Sequence, residues 1–116
     1  MNPNTSEIVA KLREHMPILT EKYQVKSLEL FGSYVRGQYS KGSDIDILVG
    51  FSRPIDLFTF VELEEFLSEL LGRKVDLVMK DALKPRIKGK ILQEAVTVWK
   101  GITDFILTIF FKPLAR

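Results

Sequence analysis

Apolar residues near the start recur at three- and four-residue steps. Ile8, Val9, Leu12, Met16 and Leu19 make one face of a helix over about residues 6–23. Thr5 or Ser6 is placed to cap its start, and Pro17 predicts a kink or a restart inside it. The period then shortens. Lys26-Ser27-Leu28-Glu29-Leu30-Phe31 reads as a strand that ends at Gly32, followed by a turn and short helix over 33–37 and a polar loop over 38–43. Ile45–Val49 reads as a second strand, stopped by Gly50 and later Pro54. Asp56 is placed to cap a long helix reaching Leu71, with Gly72 as its stop. Phe58, Val61, Phe66, Leu67, Leu70 and Leu71 suit its buried face, and Glu62, Glu64, Glu65 and Glu69 lie mostly outward. Val75-Asp76-Leu77-Val78 is a third strand, Pro85 opens a basic helix over about 86–94, and 97–99 is a closing strand. This order predicts an α+β, two-layer domain, a small mixed β-sheet with helices packed on one face. Periodicity leaves the strand order open.

Composition narrows the class of function. The chain has 116 residues, 46% apolar and 28% charged, which suits one globular domain. With 0 Cys, disulfide frameworks, thiolate zinc sites and cysteine nucleophiles are excluded. A single histidine, His15, argues against multi-histidine metal sites and reads as a surface residue. The start carries no apolar leader and no run approaches about 18 apolar residues, so a cytoplasmic protein without a membrane partner is expected. Net charge is +2, unevenly spread: residues 1–79 carry 9 basic and 12 acidic side chains, residues 80–116 carry 8 and 3. The basic set Lys84, Arg86, Lys88 and Lys90 reads as a solvated helix face, or as a platform for a nucleotide or partner.

Three features carry chemistry, and they do so together. Gly32-Ser33 directly after a strand permits a tight turn and a close backbone approach to an anion, with Ser33 and Arg36 able to contact a phosphate. Asp44 and Asp46, two apart on a strand, share a face, about 7 Å of rise between them. Their repulsion is relieved by a hard cation, which for oxygen ligands means Mg²⁺ or Mn²⁺. Asp76 sits among strand-forming apolar residues and completes a carboxylate cluster if its strand neighbours Ile45–Val49. Each feature alone also fits an ordinary turn or strand edge. In combination they describe nucleotidyl transfer, in which two ions held by shared carboxylates bind a triphosphate and activate an attacking oxygen. Phe31 and Trp99 read as core. Tyr34 and Tyr39 lie near this site and read as surface tyrosines, with nucleotide contact or nucleotidyl acceptance as the sharper alternative.

The string Phe31-Gly32-Ser33-Tyr34-Val35-Arg36-Gly37, then Ser43-Asp44-Ile45-Asp46-Ile47-Leu48-Val49 and the later Val75-Asp76-Leu77-Val78, resembles the minimal nucleotidyltransferase (MNT) antitoxins of the DNA polymerase beta-like nucleotidyltransferase superfamily, partners of HEPN-domain toxins. The resemblance covers about residues 5–99. It implies the polymerase beta-like fold, Asp44 and Asp46 as ligands of two Mg²⁺ ions, and Asp76 as third ligand and base. Gly32, Ser33, Arg36 and Ser43 would bind the nucleotide. It implies an enzyme of a type VII HEPN/MNT toxin–antitoxin pair that moves AMP from ATP to a tyrosine of the toxin. The alternative is an antitoxin that neutralises its partner by complex formation alone. A nucleic-acid-binding role for the basic C-terminal third ranks behind both. The resemblance also sets the domain at 1–100 and leaves 101–116 as a tail. Seven of residues 102–111 are apolar, too few to span a bilayer, so the tail is expected to pack on the domain, a second copy or a partner.

Overall fold

The computed structural model describes residues 4–38, 40 and 42–100. The tail and Tyr39 lie outside the described residues. Helix α1 spans Thr5–Glu14 and α2 spans Met16–Tyr23, so Pro17 marks a restart, as its position near a helix start allows. The cap of α1 is Asn4, one residue before the expected Thr5 or Ser6. Its side chain accepts from the Glu7 N–H at 2.8 Å, while Thr5 Oγ1 donates to the Tyr34 carbonyl. Strand β1 is Val25–Phe31, α3 is Ser33–Arg36, and β2 is Ile45–Phe51. Gly50 does not stop β2. It pairs with Ser27 inside the ladder, and the strand ends at Phe51.

Helix α4 spans Leu57–Leu71, capped by the Asp56 carboxylate accepting from the Thr59 N–H at 2.7 Å, and it ends at Gly72. Strand β3 is Val75–Met79, α5 is Pro85–Glu94 and β4 is Val96–Trp99. The sheet order is β3-β2-β1-β4, with β2 and β3 parallel and the other pairs antiparallel.

Strand alternation splits the sheet into two faces. Leu28, Leu30, Ile45, Ile47, Val49, Val75, Leu77 and Val98 join the core with Ile8, Leu12, Met16 and Leu19 of α1 and α2 and Leu63, Leu67 and Leu71 of α4. These three helices make the layer on one face, as expected. The buried stripe of α4 differs from the predicted one. Phe58 is 86% exposed and Val61 also faces out, whereas Leu63 is buried. The inward stripe runs instead through Phe60, Leu63, Leu67 and Leu71, with Phe60 edge-on to Phe51, which turns Phe58 and Val61 away from the core. Glu64 is half-buried, and its Oε2 accepts from the Leu77 N–H at 3.0 Å, tying α4 to β3. Trp99 is exposed at the end of the edge strand β4, not core, and Phe31 is half-buried. Tyr34 is the opposite case: it is buried in the core, not on the surface. His15 sits at the junction of α1 and α2, its ring bonded to the Lys11 carbonyl and edge-on to Phe66. Among the described residues no helix is long and apolar enough to cross a membrane.

Candidate active site

The second face of the sheet is built differently. In the β1–β2–β3 register, Phe31 stands opposite Asp46 and Asp46 opposite Asp76. The parallel β2–β3 pairing therefore places the two carboxylates side by side. Asp46 cannot turn inward, because its neighbours Ile45 and Ile47 occupy the core face. Asp44 lies just before β2, half-buried, with Lys74 Nζ at 4.0 Å from its Oδ2.

Electrostatics at Asp46 follow from this crowding. Partial burial, then the negative charges of Asp76 and Asp44, push its carboxyl up to about 6, and a hydrogen bond with Asp76 adds in the same direction. Arg36 pulls the other way. Nearby cations offset the acids only in part, Lys74 at Asp44 and Arg36 at Asp46. Arg36 Nη1 donates to Glu94 Oε1 at 2.9 Å and its Nε to Gln38 at 3.0 Å, which leaves it near Asp46 but committed to α5.

The turn after β1 completes the wall. Gly32 has φ +78°, a conformation that L side chains rarely adopt, and a Cβ there would fall on the Asp46 carboxylate. Glycine at this position is what lets the chain pass against the acid. The Gly32 carbonyl accepts from the N–H groups of Val35 and Arg36, closing the first turn of α3, so Ser33 heads that helix beside Asp46. Ser43 stands further out. Its hydroxyl accepts from the Ser40 N–H at 2.8 Å, and its carbonyl accepts from Arg73, which pins the loop before Asp44.

The structure thus brings Gly32, Asp46 and Asp76 into one place, with Asp44 close enough to repel Asp46, Ser33 at the head of the turn and Arg36 at the side. Among the described residues, no three acidic or histidine side chains already converge as a closed metal cage. The donor set nonetheless fits a hard divalent cation. It offers carboxylate oxygens on neighbouring strands, one of which, Asp46, is raised to about 6 by burial and by the adjacent acids.

Sequence reasoning missed one feature of this face. Glu29, 8% exposed, accepts from Lys80 Nζ at 2.9 Å, an ion pair between β1 and the chain after β3. Glu29 alternates with the core residues Leu28 and Leu30, so the sequence pattern places it on this second face but does not show that it is covered there.

A sheet with this topology and this acidic face defines a class. The nucleotidyltransferase domain family matches residues 12–98, from the first helix to the last strand, and the chain belongs to that family. Its relatives are more particular. A Methanocaldococcus jannaschii protein named as a candidate protein adenylyltransferase is 53% identical over 94 residues, 80% of this chain and 96% of that protein. The protein adenylyltransferase MntA of Thermococcus cleftensis is 48% identical over 92 residues, 79% of this chain and 93% of its own.

Solved structures agree on the fold. A candidate minimal nucleotidyltransferase superposes with a TM-score of 0.68 at 32% identity, over 83% of this chain and 95% of that one. A toxin–antitoxin with AMP-PNP gives 0.65 at 21% identity, over 89% and 94%. An MNT antitoxin in complex with a tri-AMPylated HEPN toxin of Shewanella oneidensis gives 0.60 at 22% identity, over 92% and 84%.

Proposed function

We propose that this chain is a Mg²⁺-dependent protein adenylyltransferase that acts on a HEPN-type toxin as its antitoxin. The observation that carries the reading is the Asp46–Asp76 pair, set side by side by the β2–β3 register against the Gly32 turn. The support from relatives is the adenylyltransferase name borne by the two proteins near 50% identity.

Each residue has a role in this reading. Asp44, Asp46 and Asp76 hold the metal. Gly32 and Ser33 offer backbone N–H groups and a hydroxyl to the outer phosphates. Arg36 supplies fixed positive charge once it leaves Glu94, and Ser43 anchors the loop that delivers Asp44. Mg²⁺, when bound, neutralises the carboxylates and the triphosphate and lowers the barrier to attack. A tyrosine hydroxyl oxygen of the toxin attacks the α-phosphorus of ATP. The bond to the β-phosphate oxygen breaks, and pyrophosphate leaves. Asp76, the most exposed of the three acids, takes the hydroxyl proton. Positioning and charge neutralisation do most of the work.

The test is neutralisation in cells. Asp44→Asn with Asp46→Asn is expected to abolish protection against the toxin while the complex still forms. Full protection by that double variant would refute the catalytic reading in favour of occlusion.

A further inference from the structure

The face that carries the carboxylates continues beyond them. Ser27 pairs with Gly50 four residues along β2 from Asp46, about 13 Å away at the rise of a strand. A cavity of about 230 Å³ opens there, lined by Ser27, Gly50, Lys26, Lys80, Lys88 and the acid Asp81, with Phe51 at its edge. Neither the metal-binding acids nor the Gly32 turn reaches it.

Three observations set this cavity apart from an ordinary lysine surface. Ser27 is 5% exposed as a residue and lines the cavity, and its hydroxyl is not among the buried side-chain atoms, so it is open to a ligand there. A Cβ at Gly50 would stand 2.5 Å from Ser27 Oγ, so glycine is what keeps the space over that hydroxyl open. The β1–β2 register shifts between Val25 and Ser27, which makes Lys26 the extra residue of a bulge and turns it to the same rim as Ser27.

The charges favour an anion. Lys80 is offset by Glu29 at 2.9 Å. Lys26 and Lys88 form no ion pair among the described residues. Asp81 is the one carboxylate in the wall, so the lining stays net positive. At about 230 Å³ the cavity is smaller than the pockets that enclose whole drug-sized ligands, which fits one oxyanion of a larger molecule. Compact ammonium charges suit a phosphate, which binds them as point charges.

We propose that this cavity is a phosphoryl subsite, in which the Ser27 hydroxyl and the Lys26 and Lys88 ammonium groups hold one phosphate of a nucleotide or of a nucleotide already joined to the acceptor. The identity of the occupant rests on the proposed adenylyl transfer, whereas phosphate binding here is read without any activity at Asp46.

The test is an amide NMR titration of the full chain with inorganic phosphate, at ionic strength held constant with sodium chloride. The expected result is saturable shifts at Ser27 and Gly50. Lys26→Ala with Lys88→Ala should weaken the affinity tenfold or more, and Ser27→Ala several-fold, each with an unchanged melting temperature. Asp81→Asn should tighten it. Shifts confined to residues 32–36, or equal affinity in the double lysine variant, would overturn the proposal. Repeating the titration with Mg²⁺ and AMP-PNP bound separates the two sources. Loss of the Ser27 shifts assigns the subsite to the free nucleotide, and their persistence assigns it to the modified acceptor.

Discussion

Asp46 is the residue on which most of the site's physics converges. Its carboxyl is raised to about 6 by partial burial and by Asp76 and Asp44, whereas in an unfolded chain it titrates near 4. Below about pH 4 it is protonated in both states and costs the fold nothing. As pH rises through the interval up to about 6, the folded state alone resists ionisation, so stability falls, and the loss is complete above 6. Asp46→Asn is therefore expected to raise the metal-free melting temperature at pH 7 and to leave it unchanged at pH 3.5. Thermal scans at the two pH values check this. A cation must displace the same proton, so Mg²⁺ affinity should drop about tenfold per unit below pH 6 and level off above 7. Calorimetric titration across that range reads it. Gly32 makes the complementary case. Gly32→Ala forces a side chain into a left-handed backbone and onto the Asp46 carboxylate. It should cost at least about 1 kcal/mol and abolish transfer, measured by urea unfolding beside an activity assay. Both residues were legible in the sequence as Gly-Ser and Asp-x-Asp. That Gly32 and Asp46 touch was not, because contact across a turn depends on pairing register.

Among the elements, α4 shows where periodicity succeeds and where it stops. Its start, its end and both caps follow from Asp56, the apolar spacing and Gly72. Its buried stripe followed in part: Leu67 and Leu71 are buried and Phe66 and Leu70 pack on the core, but Phe58 and Val61, expected inward, are exposed. Hydropathy at a helix's first turn says what a side chain prefers, not what lies opposite it. The consequence is measurable. Leu63→Ala should cost about 2–5 kcal/mol and Phe58→Ala less than about 0.5 kcal/mol, read from denaturant midpoints. The reverse ranking would mean that α4 is rotated from the position described. Strand β2 carries the same lesson. Gly50 looks like a terminator by residue type, yet it lies inside the ladder because Ser27 needs the room that a side chain would take.

For the molecule as a whole, sequence alone supplied eight elements in order and the acidic motif, while the strand order β3-β2-β1-β4 came only with the structure. On the proposed function, that order is what builds the site. Had β3 lain at the other edge, two strands would separate Asp76 from Asp46, and the two carboxylates would not stand side by side. The most direct measurement is intact-mass analysis of the partner toxin after incubation with this protein, Mg²⁺ and ATP, beside the Asp44→Asn/Asp46→Asn variant. The account predicts that the toxin gains one or more adenylyl groups on tyrosine with the native protein and none with the variant. An unmodified toxin in a stable complex with the native protein, or equal modification by the variant, would contradict it.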